Sequence, residues 1–238
     1  MKKDKLNILR RAVKDLMYIS KKKDNVFIWG TFEILNYQDI KKDSSLYAYL
    51  LFCYIKTVEE YKEYINAYIN SKEEKIIFDE IDLAISVEKE FQDEKIPLIY
   101  IIRDAGKKSL KEINEELKRA KESGVNDLIN YESMSFYKKP EWIRKLGWNN
   151  ILKNPERFRQ YLGTTAMTTL HNAGNSEIFA IPASPYTCTL TVGSVTGDET
   201  SKKINISLTF DHNLIDGVPS VKIFEKFKEN VNALCYGG

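Results

Sequence analysis

The chain has 238 residues, 43% of them hydrophobic and 29% charged, which suits a soluble globular protein with a sizeable core. Lys and Arg total 36 against 34 Asp and Glu, so no bulk charge favours nucleic acid or an anionic membrane. Cys53, Cys188 and Cys235 lie far apart with no C-x-x-C pair, which argues against a disulfide framework or a zinc site and for a reducing, cytoplasmic setting.

The opening "MKKDKLNILRRAVKDL" has no uninterrupted apolar run, so no signal peptide is expected. The longest apolar stretch, around "LYAYLLFCYI", is too short to span a bilayer. Without a Pro/Gly/Ser-rich linker or a repeat, residues 1–238 read as a single domain.

Leu6, Leu9, Val13, Leu16 and Met17 recur at helical spacing. "NVFIWGTFEIL" follows as a strand rich in β-branched and aromatic residues. "SLYAYLLFCYIKTVEEYKEYINAYI" predicts one bent helix or two consecutive ones. "KIIFD" and "IDLAISVEK" read as short strands, and "IPLIYIIRD" as a strand buried on both faces. Ser109 and Glu112 stand in capping-box relation at the start of a helix that runs to Gly124. Residues 125–160 hold short helix-like pieces with two prolines and two tryptophans, and read as a covering excursion.

From Gly163 onward the signals are strands: "GTTAMTTL", "EIFAIP", "TCTLTVGSV" and "KKINISLTF", with "VTGDETS" as a hairpin loop. Val218, Val221, Phe224, Phe227, Val231 and Leu234 then mark a final helix. Helices early and strands late predict an α/β (α+β) domain, a mixed sheet covered by helices.

His212 lies between the last strand and the last helix. Ile204, Ile206, Leu208 and Phe210 share one strand face, so a continued strand would turn His212 inward at its end. Asp216 and Gly217 begin the final helix, with Pro219 in its first turn. Two readings stand. Asp216 is an N-cap, Gly217 relaxes the turn and His212 is a rim residue. Alternatively, His212 moves a proton.

The segment "SLTFDHNLIDGVPSVKIFEKF" resembles the D-H-R-x-x-D-G signature of the acyltransferase component of 2-oxo-acid dehydrogenase complexes. Chloramphenicol acetyltransferase shares that fold and a related H-x-x-x-D-G motif. Four further segments are similar to the family's in the same order: "ILRRAVKDLMYIS", "IYIIRDAGKKSLKEINEELK", "GTTAMTT" and "PASPYTCTLTVGSV". The resemblance spans the chain apart from residues 125–160 and implies the chloramphenicol acetyltransferase-like fold.

It also implies roles. His212 matches the general base that deprotonates a thiol or hydroxyl attacking an acyl thioester. Thr168 matches the hydroxyl that meets the oxyanion, and Asp216 the aspartate that holds the site by an ion pair. Arg10 occupies the place of that aspartate's partner, with a solvated helix residue as the other reading. Gly217 supports the turn. Asn213 stands where the family has an arginine, and Ala183-Ser184-Pro185 where it has N-P-P. His171 lies near the matching substrate loop and reads first as a surface residue. The two histidines do not clearly supply a metal site.

The resemblance implies a catalytic domain without lipoyl or peripheral-subunit-binding domains. It implies acyl transfer between coenzyme A and a thiol or hydroxyl acceptor, a lipoyl group entering only if carried in trans. It further implies a homotrimer or a higher trimer-based assembly with histidine supplied across the interface. A chloramphenicol-type antibiotic O-acetyltransferase and a non-catalytic scaffold are the alternatives. No nucleic acid or membrane partner is expected.

Overall fold

The computed structural model describes residues 6–70, 72–92, 94–128, 131–170, 176–198 and 201–233. Helix α1 (Ile8–Ser20) is followed by strand β1 (Asn25–Ile34), then α2 (Tyr37–Asp43), α3 (Leu46–Glu60) and α4 (Lys62–Ile65). Strands β2 (Ala67–Ile69) and β3 (Lys75–Ile77) form a small antiparallel pair. Strands β4 (Leu83–Phe91) and β5 (Glu94–Ile102) lead into α5 (Leu110–Glu122). The excursion is helical: α6 (Val125–Leu128), α7 (Tyr131–Lys138), α8 (Glu141–Leu152) and α9 (Pro155–Leu162). Strands β6 (Thr165–Thr169), β7 (Cys188–Gly197) and β8 (Lys202–Asp211) precede the closing helix α10 (Gly217–Ala233).

The main sheet has the order β1-β8-β7-β6-β4-β5, with β6 parallel to both β4 and β7 and every other pairing antiparallel. This is the mixed sheet expected from the sequence. The pleat sorts its side chains onto two unlike faces. On one, Leu190, Val192, Ile204, Ile206, Leu208 and Phe210 join a core completed by α3, α5 and α10. The other carries Thr168, Thr191, Ser207 and Thr209 in adjoining registers.

Segment 177–182 covers that hydroxyl face, which corrects the expected strand at "EIFAIP": no ladder forms there. The segment crosses above the sheet and is held by it. Ser194 N–H and Ser207 Oγ–H donate to the carbonyls of Ile178 and Ala180, and Thr209 Oγ–H to that of Pro182. Gly193 permits the approach, because a Cβ there would lie 2.1 Å from the Ile178 carbonyl oxygen.

The expectation that "IPLIYIIRD" is buried on both faces is also corrected. It forms β5, an edge strand paired with β4 alone, with Pro97 partly outside. An edge tolerates proline because one row of its N–H groups needs no strand partner. The capping box of Ser109 and Glu112 forms as expected. "SLYAYLLFCYIKTVEEYKEYINAYI" breaks into two consecutive helices, its last residues entering β2.

Candidate active site

Strand β8 ends at Asp211, and the chain turns immediately, with the N–H groups of Leu214 and Ile215 donating to the Asp211 carbonyl. The turn changes the expected orientation of His212. Ile215 takes the buried place at 1% exposure, and the imidazole is 52% exposed. The His212 N–H donates to the Asp24 carbonyl, and the ring stands edge-on to Phe210 at 6.5 Å. Its Nδ1 lies 3.5 Å from Asp216 Oδ1.

The loop is braced by Lys23 from outside the motif and by Asn213 from within it. Lys23 Nζ sits 2.9 Å from Asp211 Oδ2, with the two side chains only 12% and 2% exposed. Asn213 donates from Nδ2 to Asp211 Oδ1 and Asp24 Oδ2, and its N–H also reaches Asp211 Oδ1. Burial pushes the Asp211 carboxyl up, but Lys23 and the Asn213 donors outweigh it, so the carboxyl ends below its ordinary value. Lys23 therefore supplies a cation on a carboxylate beside Asn213.

Asp216 is the N-cap of α10, its carbonyl accepting from Ser220 N–H, while its side chain is 84% exposed. It does not meet Arg10 within the chain. Arg10 lies in the first turn of α1 with Nη2 3.6 Å from Glu94 Oε2, at the start of β5. Strand β5 is four strand spacings from β8, roughly 19 Å across the sheet. The expected Arg10–Asp216 pair is thus replaced by two separate contacts. At Gly217 the φ angle lies outside the left-handed region and an added Cβ would meet nothing within 4 Å, so nothing in one chain demands glycine there.

Thr168 lies on β6 in register with Thr191 of β7, which pairs with Ser207 of β8. It lines a cavity of about 210 Å³ together with Val13, Leu16, Ala84, Leu98 and Pro185. Beside it Thr191 Oγ1 is buried without a hydrogen-bond partner, a second hydroxyl the sequence did not single out. An unpaired buried hydroxyl costs free energy unless something completes it.

His212 follows Ser207 by five residues, so it lies roughly 17 Å along the strands from Thr168 and two strand spacings, roughly 10 Å, across. One chain therefore keeps His212 and Thr168 roughly 20 Å apart. His171 lies outside the described residues.

Cys53 and Cys188 are buried, and burial pushes the Cys188 thiol up to about 12, so neither is poised as a nucleophile. Cys235 lies outside the described residues. Among the described residues no group of three or more His, Cys, Asp or Glu could hold a metal ion, and no helix is long and apolar enough to cross a membrane.

No family model and no curated protein matches the sequence. The fold does match solved structures. A dihydrolipoamide acetyltransferase from Azotobacter vinelandii is 12% identical with a TM-score of 0.73, over 98% of this chain and 92% of that one. Its structure was studied for the catalytic roles of a serine, a histidine and an asparagine four positions after the histidine. A probable dihydrolipoamide acetyltransferase from Listeria monocytogenes is 17% identical with a TM-score of 0.68, over 97% and 94%. A chloramphenicol acetyltransferase is 13% identical with a TM-score of 0.57, over 97% of this chain and 100% of that one. The chain thus has the chloramphenicol acetyltransferase-like fold, shared with the catalytic cores of 2-oxo-acid dehydrogenase complexes.

Proposed function

We propose that the protein is a cytoplasmic, coenzyme A-dependent acyltransferase that works as a homotrimer or a larger trimer-based assembly. The observation that carries this reading is His212 at the β8–α10 junction with Asp216 four residues on, in a fold whose Azotobacter relative was studied for a histidine and an asparagine at that spacing. The roughly 20 Å between His212 and Thr168 favours a site completed by a neighbouring copy.

His212 Nε2 takes the proton of an acceptor thiol or hydroxyl as the acceptor attacks the thioester carbonyl carbon. The carbonyl oxygen becomes an oxyanion facing the Thr168 hydroxyl, with Thr191 beside it. The intermediate collapses by breaking its bond to the coenzyme A sulfur, which takes the proton back from His212 and leaves as the free thiol, returning the imidazole to its neutral form. No acyl-enzyme forms, and no metal enters the reaction. Asp216 holds the imidazole orientation and Asn213 the loop beneath it.

The test is release of free coenzyme A from acetyl-CoA with a panel of acceptors that includes lipoamide and chloramphenicol. Turnover with any acceptor, lost in His212→Ala, supports the reading; lipoamide or a lipoylated protein as best acceptor makes it a lipoyl acyltransferase in trans, and chloramphenicol an antibiotic O-acetyltransferase. A folded parent protein that neither binds coenzyme A nor releases it from any acyl donor overturns it in favour of a scaffold.

A further inference from the structure

Thr168 does not open onto a flat surface. The 210 Å³ cavity it lines passes beneath α1 and is bounded by Val13, Leu16, Pro97, Leu98 and Ile99. The same five residues bound a second cavity of about 150 Å³, which continues to Tyr137, Trp148 and Tyr161. The cavity at Thr168 is an apolar channel between α1 and β5, and those five side chains are the wall it shares with the second cavity. A third cavity, of about 520 Å³, adjoins it at Tyr137, Trp148 and Tyr161.

The channel offers almost nothing to a polar ligand. Near Thr168 the Ser184 and Thr189 hydroxyls are bonded to each other at 2.6 Å, and the Tyr186 N–H is also spent on Ser184. A buried ligand amide or hydroxyl would lose its water without gaining a partner. A hydrocarbon chain would lose nothing. Thr168 fixes where such a chain begins: at the carbon whose oxygen the hydroxyl meets.

We propose that this channel holds the carbon chain of the acyl group, and that the preferred donor is a medium-chain acyl thioester of coenzyme A rather than acetyl-CoA. The inference rests on the acyltransferase reading above. An apolar cavity of about 150 Å³ accommodates a six-carbon ring such as benzene, so the channel of about 210 Å³ at Thr168 suits a chain of about six to eight carbons.

Titration calorimetry of the whole protein with coenzyme A and its acetyl, butyryl, hexanoyl, octanoyl and dodecanoyl thioesters tests this without requiring turnover. Each buried methylene should tighten binding about fourfold, so octanoyl-CoA should bind at least about 10²-fold more tightly than acetyl-CoA, with the gain levelling off beyond octanoyl. Val13→Trp, and separately Leu16→Phe, should each cut the octanoyl-to-acetyl affinity ratio about tenfold or more by narrowing the channel. Equal affinities along the series, with coenzyme A itself bound, would overturn the chain site and leave the acyltransferase reading standing. Absence of binding by coenzyme A in every form would overturn both. A chain-length gain for alkanethiol acceptors, absent from the acyl-CoA series, would assign the channel to the acceptor and overturn the proposal.

Discussion

Asp211 holds the loop that carries His212, and its charge is what holds it. The carboxylate is buried, yet its pKa lies below the ordinary carboxyl value because Lys23 and Asn213 face it. A carboxyl depressed by folding contributes stability above its unfolded value, near pH 4, and that contribution is lost as pH falls through the lower folded value. Asp211→Asn should therefore lower stability at pH 7 and flatten its dependence below about pH 4, as urea unfolding at a series of pH values would show. Lys23→Met should cost more at neutral pH than below pH 4, because it leaves a buried carboxylate unpaired only while that group is ionised. His212→Ala should remove most of any turnover, about 10²–10⁴-fold in kcat, with the melting temperature nearly unchanged because the ring is half exposed. Thr168→Ala should cost about 10²–10³-fold in kcat, and Thr168→Ser, which keeps the donor, should be tolerated. His212 was visible in the sequence through its motif. Lys23 was not, since its partner lies 188 residues away and no local pattern marks the pair.

Two charge clusters, each built on a buried carboxylate, tie elements together. In the first, Asp15 of α1 accepts both Arg144 Nε and Nη2 from α8, and Trp148 Nε1–H donates to the same carboxylate. The Asp15 hydrogen bonds hold the Arg144 guanidinium above its ordinary value. In the second, Asp82 accepts from Arg103 and Arg159, while Arg103 also donates to the Arg159 carbonyl at the end of α9. The "IIRDAG" resemblance thus falls on a joint between β4, β5 and α9 rather than on reacting groups. Asp15→Ala should destabilise by about 3–5 kcal/mol in chemical denaturation, because Arg144 would stay buried without its partner. Asp15→Ala combined with Arg144→Met should recover much of that loss. The legible elements were those with a strong local period: β7, β8 and α10, and the helix opened by Ser109 and Glu112. The excursion was not, because its helices are short and bury their apolar residues against one another and α1, as Phe136 does against Trp148. "EIFAIP" has strand composition, but its carbonyls are satisfied from the sheet below, so composition alone could not separate a cover from a ladder.

At the scale of the whole molecule, His212 lies just beyond the end of β8 and Thr168 at mid-sheet on β6, roughly 20 Å apart. Strand order and register are non-local, so this separation could not be read from the motifs, although the resemblance implied a site built between subunits. Edge strand β1 also leaves Phe27 47% and Trp29 57% exposed beside the covered hydroxyl face, apolar surface that association could bury. If catalysis needs His212 from one copy and Thr168 from its neighbour, a dilute solution should contain trimers or multiples of them by light scattering. A stronger test mixes subunits. His212→Ala and Thr168→Ala proteins are each nearly inactive, yet co-refolded at equal amounts they would form some interfaces with both native residues. Random assembly predicts recovery of about a quarter of parental turnover, since each interface draws its His212 side and its Thr168 side independently. A site contained in one chain predicts no recovery, because every subunit then carries one of the two defects. Recovery that grows with the time allowed for subunit exchange would tie the activity to the interface itself, and failure of mixed trimers to gain activity after complete exchange would place the base and the hydroxyl in the same chain.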